Sequence, residues 1–381
     1  MQVTRLVLKN WRNFTAFDAP FQDVSYLLGP NASGKSNLLD AFRFLGDVGR
    51  IDGRGLQNAV SVRGGFDRIH CWNARKDQEV VIDMHVADDT DDGMQSWRYV
   101  LGFRPDPRRA QRVMVSREEV WLDGRKIVDR PDELDREDPL RLAQTRLEQL
   151  SANQGFRRLA EFFGDIAYFH LVPQLLKFSG QLGASRLEND SFGQGLLERI
   201  DRTHEKTRSA RLRKMEKALM LAIPGFSGLR FRRDENGRPH LEARYQHDLS
   251  DVWQGENSFS DGTLSLLGLL WSLLEGNALL LLEEPEIYLN EEVVRHIPVL
   301  IDRVQRNRRL RQQVIISTHS EALLENRGID GRGVIVLAPA EAGTQARTLA
   351  DHELKMLCSG LSVAEVVLPQ TRPQSVGQMV L

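Results

Sequence analysis

The pattern of apolar and polar residues predicts strands at the start of the chain, helices in its middle and alternating helices and strands at its end. Near the start, "VTRLVLKNW" alternates apolar and polar residues like a half-buried strand, and "VSYLL" is a short apolar strand. "NLLDAFRFLGDV" then has helical spacing, with Leu38, Leu39, Phe42 and Leu45 on one face. Three more strands are predicted in "EVVIDMHVA", "WRYVLGFRP" and "RVMVSREEVWLDG".

The middle of the chain is predicted to be mostly helical. Residues 131–163 and 183–222 are charged with helical spacing, and the strand "DIAYFHLVP" separates them. Asn236-Gly237 predicts a hairpin with a tight two-residue turn. Helices and strands then alternate at 262–274, 278–282, 291–303 and 313–317, and "GVIVLAP" follows as a strand. This alternation predicts an α/β nucleotide-binding domain that is split by an insertion.

Composition narrows the class of protein and its compartment. A chain of 381 residues with 41% hydrophobic and 27% charged residues is typical of a soluble globular protein of one or two domains. The net charge of −2 means that any nucleic-acid surface must be local. Cys71 and Cys358 lie outside metal-binding spacings, which argues against a zinc site or a disulfide framework. Without an apolar leader or a span of membrane length, we expect a cytoplasmic protein with no membrane partner.

The segment "GPNASGKS", from Gly29 to Ser36, fits the phosphate-loop pattern G-x-x-x-x-G-K-[ST] at every fixed position. A predicted strand precedes it and a predicted helix follows it. Its glycines let backbone N–H groups approach phosphate oxygens, and the helix N-terminus adds partial positive charge. We expect Lys35 to reach the β- and γ-oxygens of ATP and Ser36 to bind Mg²⁺. The alternative is a structural glycine turn capped by a serine.

Three carboxylates follow the apolar run in "ALLLLEEPEIYLN". They are costly after a buried strand unless a cation lies beside them, and the phosphate-loop site supplies that cation. We expect Glu283 on the metal side and Glu284 as the general base for the attacking water. Pro285 ends the strand because it has no N–H to donate. The alternative is the acidic first turn of a helix.

Together these motifs resemble the ATP-binding-cassette superfamily, in the soluble branch with RecF, the SMC proteins and AAA-type ATPases of the overcoming-lysogenisation-defect class. "VTRLVLKNWRNF", "FSDGTLSLLGLL" and "IISTHS" carry the resemblance, over residues 1–50 and 255–340. It implies an α/β P-loop NTPase fold of ABC-ATPase type with a β-rich lobe and a helical insertion. One split domain, 1–381, would comprise an N-terminal half at 1–130, a mainly helical insertion at 131–255 and a C-terminal half at 256–381.

The resemblance implies roles for particular residues. Ser260 and Gly262 of the signature motif would bind the γ-phosphate of a second subunit, His319 would lie at the γ-phosphate, and Gln174 would link Mg²⁺ to the helical part. The implied catalytic residues are Lys35, Glu284 and His319, and the implied metal ligands are Ser36, Glu283 and Gln174. The implied nucleotide-binding residues are Arg12, Asn13, Gly29, Asn31, Ser33, Gly34, Lys35, Ser36, Asn37, Ser260 and Gly262.

Alternatives stay open for three of these residues. Ser260 also suits an ordinary helix N-cap, His319 a core histidine and Gln174 a surface glutamine. The chain also departs from the family pattern, since Glu283 replaces the usual Asp and the signature reads Ser-Asp-Gly-Thr instead of Ser-Gly-Gly-Gln. The longer Glu283 must have a different metal environment, or its strand must sit further back.

The function implied is ATP hydrolysis coupled to formation of a head-to-tail homodimer. The dimer would drive or gate a DNA-linked partner in antiphage defence or DNA maintenance. Acids after His319 are scattered, so we expect any nuclease to be a separate effector protein. The basic runs 202–217 and 303–311 suit either a solvated surface or nucleic-acid contact. A non-hydrolysing ATP-bound scaffold and a transporter subunit are the competing classes.

Overall fold

The computed structural model describes residues 1–50, 55–74, 76–90, 93–177, 192–246, 252–306 and 312–371. Its strands are β1 (Gln2–Trp11), β2 (Phe14–Pro20), β3 (Val24–Leu28), β4 (Val80–Thr90), β5 (Gly93–Asp106), β6 (Arg109–Leu122), β7 (Arg125–Arg130), β8 (Ile166–Phe169), β9 (Phe226–Arg233), β10 (Pro239–Tyr245), β11 (Gln254–Gly255), β12 (Leu279–Glu283), β13 (Gln313–Ser317), β14 (Val334–Ala340) and β15 (Gly343–Thr348). Its α-helices are α1 (Lys35–Gly49), α2 (Gly55–Ser61), α3 (Phe66–Ile69), α4 (Glu133–Glu137), α5 (Arg157–Gly164), α6 (Pro173–Lys177), α7 (Leu196–Arg202), α8 (Glu205–Ala222), α9 (Asp261–Glu275), α10 (Glu291–Arg306), α11 (Glu321–Leu324), α12 (Asp351–Cys358) and α13 (Val363–Thr371).

The central sheet has the strand order β15-β14-β3-β13-β12-β8. β14, β3, β13, β12 and β8 run parallel, and β15 pairs antiparallel at the edge. The sequences of β12 and β13 are mostly apolar because both of their faces are covered, one by helices and the other by the antiparallel sheet of the β-rich lobe. Glu283 pairs with Ser317, and Ser317 pairs with Leu27. The segments that follow β3, β12 and β13 therefore leave the same edge of the sheet.

The β-rich lobe is an antiparallel sheet of order β2-β1-β4-β5-β6-β7. α1 joins this lobe to the central sheet, and Leu38, Leu39, Phe42 and Leu45 are fully buried, as their spacing predicts. The ring of Phe44 on α1 stacks on Phe103 of β5 with centroids 5.3 Å apart. The helix that follows the phosphate loop is thus fixed on two sides.

The middle of the chain differs from its prediction in two places. In residues 131–163 the described α-helices are α4 and most of α5, with short 3₁₀ turns between them, because Pro131 and Pro139 interrupt the helical pattern. The β9–β10 connection is a five-residue loop, since Asp234 accepts hydrogen bonds from the backbone N–H groups of Asn236 and Arg238 instead of leaving a two-residue turn. Residues 131–255 also supply β8 to the central sheet and all of a three-stranded sheet, β11-β10-β9.

Four strands, β2, β7, β11 and β15, were not predicted, and each lies at the edge of its sheet. Part of the predicted 183–222 helical region, 183–191, lies outside the described residues, as does 307–311 of one basic run. Within the described part of the chain, no helix is both long and apolar enough to cross a membrane. The division at residues 130 and 255 stays a prediction.

Candidate functional site

The phosphate loop connects β3 to α1 in a conformation that needs glycine at position 34. Gly34 has φ +95°, and a Cβ atom there would lie 2.2 Å from Nδ2 of Asn13. Lys35 begins the helix, is 6% exposed, and donates to the carbonyl oxygens of Gly29 at 3.0 Å and Pro30 at 3.3 Å. Burial lowers the pKa of Lys35, although neighbouring carboxylates oppose this change. The lysine ammonium is therefore folded back into the loop where phosphate oxygens would bind.

Glu283, at the end of β12, contacts two hydroxyl groups. Ser36 Oγ donates to one carboxylate oxygen, and the phenol of Tyr168 on β8 donates to the other. Burial raises the pKa of Tyr168, so this phenol stays protonated and remains a donor. The long side chain of Glu283 thus reaches Ser36 directly, which is how the site accommodates glutamate at this position.

Glu284 has a left-handed backbone with φ 42°, which is uncommon for a residue other than glycine and is typical of functional sites. Its N–H donates to the Ser317 carbonyl at 3.0 Å, and this bond ties the turn to β13. One oxygen of its carboxylate lies 3.2 Å from Nδ1 of His319 and 4.0 Å from Nζ of Lys35. The three predicted catalytic residues therefore meet at one point.

Glu286 holds the segment that carries His319. Its Oε1 accepts from the Thr318 hydroxyl at 2.5 Å and from the His319 N–H at 3.3 Å. The residue is 9% exposed, and burial raises the pKa of its carboxyl group. Its other oxygen, Oε2, is buried without a hydrogen-bond partner in the described part of the chain. Glu286 therefore positions His319 by accepting a hydrogen bond from its backbone N–H.

A buried ion-pair cluster fixes the turn after β1. Arg12 donates to Oδ2 of Asp40 on α1 at 3.0 Å and 2.5 Å. Arg63 lies 3.0 Å from Asp40 and 2.9 Å from Asp47, with only 6% of its side chain exposed. Burial alone would raise the pKa of Asp40, but Arg63 and Arg12 more than offset it and hold that pKa below its ordinary value. Asp40 therefore stays ionised and orients Arg12.

Asn13 connects the same turn to the phosphate loop. Its amide donates to Thr344 Oγ1 at 2.6 Å and to the Ser33 carbonyl at 3.3 Å, and its Oδ1 accepts from Asn37 at 2.8 Å. Thr344 also donates to the Ser33 carbonyl, at 2.9 Å. The predicted residues Arg12, Asn13, Ser33 and Asn37 thus form one continuous wall, whereas Asn31 is exposed at the tip of the loop.

An open cavity of about 360 Å³ lies beside this wall. Its lining residues are Arg12, Asn13, Asn37, Arg68, His70, Cys71, Trp72, Asn73 and Gly343. Trp72 is 74% exposed, which is unusual for so large an apolar side chain. Asn73 is held by the Glu341 carbonyl at 3.4 Å. An exposed aromatic ring next to amide and guanidinium groups suits a planar, hydrogen-bonding ligand.

The signature residues lie at the start of α9. Ser260 caps the helix, since its Oγ accepts from the Thr263 N–H at 3.1 Å. A Cβ at Gly262 would lie 2.6 Å from the Tyr288 carbonyl oxygen, so only glycine fits beside that backbone. Asp261, between them, binds Nζ of Lys177 at 2.6 Å and Nε2 of Gln174 at 2.8 Å.

Gln174 therefore contacts the signature helix instead of the predicted metal ligands. The structure brings together Lys35, Ser36, Glu283, Glu284 and His319 as one group, and Arg12, Asn13, Gly29, Ser33, Gly34 and Asn37 around it. Ser260 and Gly262 are placed together with Gln174 at the start of α9. The metal role of Gln174 stays a prediction.

Tyr168, Asp40, Arg63 and Trp72 were not predicted from the sequence. The contact between Tyr168 and Glu283 depends on β8 lying next to β12, and this strand order is not visible in the sequence. Arg63 stands in the conspicuous "VRGGF", but its pairing with α1 is not visible in the chain.

The residues present fit a magnesium ion. Ser36 and Glu283 supply a hydroxyl and a carboxylate oxygen in direct contact, and both are oxygen ligands of the kind that Mg²⁺ prefers. Within the described residues no group of three or more His, Cys, Asp or Glu is arranged for a metal ion. Mg²⁺ takes few protein ligands and completes its shell with phosphate and water.

The chain is similar in sequence to an AAA-domain family and, over short stretches, to RecF proteins. A family profile described as "AAA domain, putative AbiEii toxin, Type IV TA system" matches residues 24–325. The DNA replication and repair protein RecF of Pasteurella multocida is 42% identical over 64 residues, which are 16% of this chain and 16% of that protein. RecF of Lacticaseibacillus casei is 46% identical over 46 residues, 12% of each chain. The chain is matched over about a sixth or less of the length of these curated relatives.

Three solved structures share the fold. An SMC head bound to the C-terminal winged-helix domain of ScpA has a TM-score of 0.54 at 16% identity, covering 93% of this chain and 99% of that one. The Pyrococcus furiosus SMC head bound to the C-terminal domain of ScpA has a TM-score of 0.54 at 14% identity, covering 94% of this chain and 98% of that one. The Pyrococcus yayanosii SMC head has a TM-score of 0.53 at 12% identity, covering 96% of this chain and 99% of that one.

The fold is therefore the predicted one, an α/β P-loop NTPase of ABC-ATPase type. The predicted resemblance to the RecF and SMC branch is also confirmed. Because the family profile covers most of the sequence, this chain belongs to the AAA-domain family described as putative AbiEii toxin of type IV toxin–antitoxin systems.

Proposed function

We propose that this chain binds ATP with Mg²⁺ and hydrolyses it to ADP and phosphate. The observation that carries this proposal is the meeting of Lys35, Glu284 and His319 at the edge of the sheet where β3, β12 and β13 end. A structural glycine turn does not need a buried lysine opposite a carboxylate and a histidine. An ATPase needs all three, to bind phosphate, to accept a proton and to contact the terminal phosphate.

Each side chain then has a defined task. Lys35 releases the Gly29 and Pro30 carbonyls and pairs with the β- and γ-oxygens, which are stronger acceptors for an ammonium. Ser36 and Glu283 hold Mg²⁺, which polarises the terminal phosphate when bound. Glu284 accepts the proton of the attacking water, and His319 donates to the phosphate oxygen that gains charge. Tyr168 keeps the Glu283 carboxylate aimed at Ser36.

The nucleoside end occupies the cavity beside Asn13 and Asn37. A volume of about 360 Å³ is within the range of small-ligand sites. Trp72 offers a ring on which adenine can stack, and Asn73 offers an amide for its polar edge. The cavity adjoins the phosphate loop through Asn37, so one nucleotide can span both.

Hydrolysis is coupled to formation of a head-to-tail homodimer. Ser260 and Gly262 stand at the start of a helix of 15 residues, whose N-terminus carries partial positive charge, and one nucleotide already has enough ligands without it. A second subunit's γ-phosphate is the natural occupant. Such pairing would drive or gate a separate, DNA-linked effector such as a nuclease, in antiphage defence or DNA maintenance. The names of the RecF relatives and the ScpA-bound SMC heads support a DNA-linked role with a protein partner.

The test combines turnover, binding and light scattering. Wild-type protein should release phosphate from Mg²⁺–ATP, and Glu284→Gln should bind ATP normally but stop turnover, because an amide cannot accept the proton. Glu291→Gln, an exposed acid at the start of α10, is the matched control and should leave turnover unchanged. ATP, but not ADP, should convert Glu284→Gln protein to a dimer.

Normal turnover in Glu284→Gln would place the base elsewhere. A protein that stays monomeric at tens of micromolar with ATP bound would remove the pairing and leave a monomeric switch.

A non-hydrolysing ATP-bound scaffold is the second candidate. One observation favours it, since Glu283 takes up the Ser36 hydroxyl directly and so competes with a metal ion for it. Glu283→Asp separates the two candidates. Under the scaffold hypothesis wild-type protein binds ATP without turnover and the aspartate variant gains turnover, whereas an ATPase is active in both forms or loses activity on shortening.

A further inference from the structure

Positive charge is concentrated in one part of this chain. Residues 202–238 contain 11 Lys and Arg and 4 Asp and Glu, a net charge of +7 (11 − 4). Because the whole chain carries −2, the remaining residues carry −9 (−2 − 7). All of 202–238 is described and comprises the end of α7, then α8 and β9. Such separation creates a local positive field that the near-zero net charge conceals.

The helix α8 separates its apolar residues from its cations. Leu212, Met215 and Leu219 are buried in the apolar core that α8 shares with α9 and β9. The opposite side of the helix is exposed and carries what we call the α8 cationic face, made of Lys206, Arg213, Lys214 and Lys217. Positions 206, 213 and 217 point within about 40° of one another at 100° per residue and extend over roughly 16 Å.

The cations of α8 fall into two groups. Arg208 lies over the Phe231 ring at 4.3 Å, and Arg211 donates to the Glu275 carbonyl at 3.0 Å, so both hold α8 against its neighbours. In the described part of the chain, the four residues of the α8 cationic face make no ion pair or side-chain hydrogen bond. Structural cations would be paired, whereas these are left available to an external anion.

We propose that the α8 cationic face binds the phosphate backbone of duplex DNA. A duplex carries one phosphate per roughly 1.7 Å of axis, so about nine or ten phosphates pass within the length of this face. No aromatic side chain stands among the four residues, which suits backbone contact and not base stacking. DNA binding by this face does not depend on the proposed function. Its role does, because the duplex would be the polymer on which the ATP-driven dimer acts.

An anionic membrane is the competing partner. Met220 and Leu221, 45% and 90% exposed, adjoin the face and could enter a lipid surface. Both lie in the last turn of α8, however, and the cations continue for more than three turns before them. A helix that lies in a membrane interface needs apolar residues along its whole length, and those of α8 are buried inside the protein. Duplex DNA is therefore the better match.

The test measures the anisotropy of a labelled 30-base-pair DNA duplex with the full chain between 50 and 200 mM NaCl. In Lys206→Ala/Arg213→Ala/Lys217→Ala, the slope of log K against log salt should fall in magnitude by about 2.7, from three lost phosphate contacts at about 0.9 each. Affinity at 100 mM NaCl should fall at least about tenfold. The matched control, Arg104→Ala/Arg125→Ala/Arg136→Ala, removes three exposed cations from outside residues 202–238 and should leave the slope unchanged.

Three outcomes would overturn the proposal. They are no salt-dependent duplex binding by the wild-type chain, equal losses in the two triple variants, and tighter binding to phosphatidylserine vesicles than to the duplex. ATP affinity is measured on the same samples. A triple variant that loses DNA but retains ATP binding isolates the surface, and a wild-type chain that binds DNA but not ATP would refute the proposed function alone.

Discussion

Asp40→Asn should destabilise the protein far more than the same change in an exposed ion pair. Asp40 is 8% exposed and holds both Arg12 and Arg63. The amide keeps the size of the side chain but removes its charge, so Arg63 is left in a buried position with Asp47 as its remaining carboxylate partner.

The size of the effect follows from that geometry. Removing one partner of a buried ion pair costs about 3–5 kcal/mol when the other charge is left uncompensated. Arg63 keeps Asp47 and Arg12 is about a quarter exposed, so the loss should fall below that range, at about 2–3 kcal/mol. At about 2 cal/mol/K per residue, the unfolding entropy of a chain of this length converts 1 kcal/mol to about 1 °C in Tm. Asp40→Asn should therefore lower Tm by about 2–3 °C.

Asp18→Asn is the matched control. Asp18 also forms a two-bond pair with an arginine, Arg5, but both side chains are about half exposed. Such a pair is worth about 0–1 kcal/mol, so Tm should change by less than about 1 °C. Differential scanning fluorimetry at fixed salt measures both variants beside the wild type.

The pH dependence supplies a second check. Because the pKa of Asp40 is depressed in the folded state, its contribution is present above the unfolded-state pKa of about 3.9 and is lost as pH falls through the lower folded-state value. The gap between wild type and Asp40→Asn should therefore be full at pH 7 and close in acid. Equal losses for Asp18→Asn and Asp40→Asn, or a gap that is as wide in strong acid as at pH 7, would refute the reasoning.

Three further predictions concern nucleotide binding, each measured by calorimetry with Mg²⁺–ATP. Lys35→Ala should lower affinity more than tenfold, since bonds to charged groups are worth about 1.5–3 kcal/mol each; unchanged affinity would remove the phosphate-loop assignment. Trp72→Ala should weaken ATP about tenfold and leave inorganic triphosphate unaffected, because stacking on an aromatic ring is worth about 1–3 kcal/mol per base; equal losses for both ligands would contradict the stacking role. Gly34→Ala should abolish binding, whereas Gly360→Ala, with a similar φ of +103° but no neighbour within 4 Å, should bind ATP normally.

The sequence was sufficient to predict which residues lie together where they belong to short contiguous motifs. Lys35, Glu284 and His319 each follow a buried strand, and parallel strands bring such positions to one edge. Contacts between distant segments could not be predicted from the sequence, because they depend on strand order and side-chain packing. Tyr168 meets Glu283 across 115 positions. The position of Gln174 is a second example. Its amide donates to Asp261 at the start of α9, and the sequence alone does not show that these two residues are neighbours.

The pairing of β12 between β13 and β8 also limits which length changes this protein can tolerate. Glu283 is opposite Ser317, and the next residue turns away with φ 42°. A residue inserted within Leu279–Glu283 would shift Glu283 to the position of Glu284, and an apolar or inserted residue would then stand where the proposed metal ligand is. The same insertion at the exposed turn near Gly276, where the backbone is already left-handed, leaves the pairing intact. Reporter peptides and natural insertions should therefore be accepted before this strand and rejected within it.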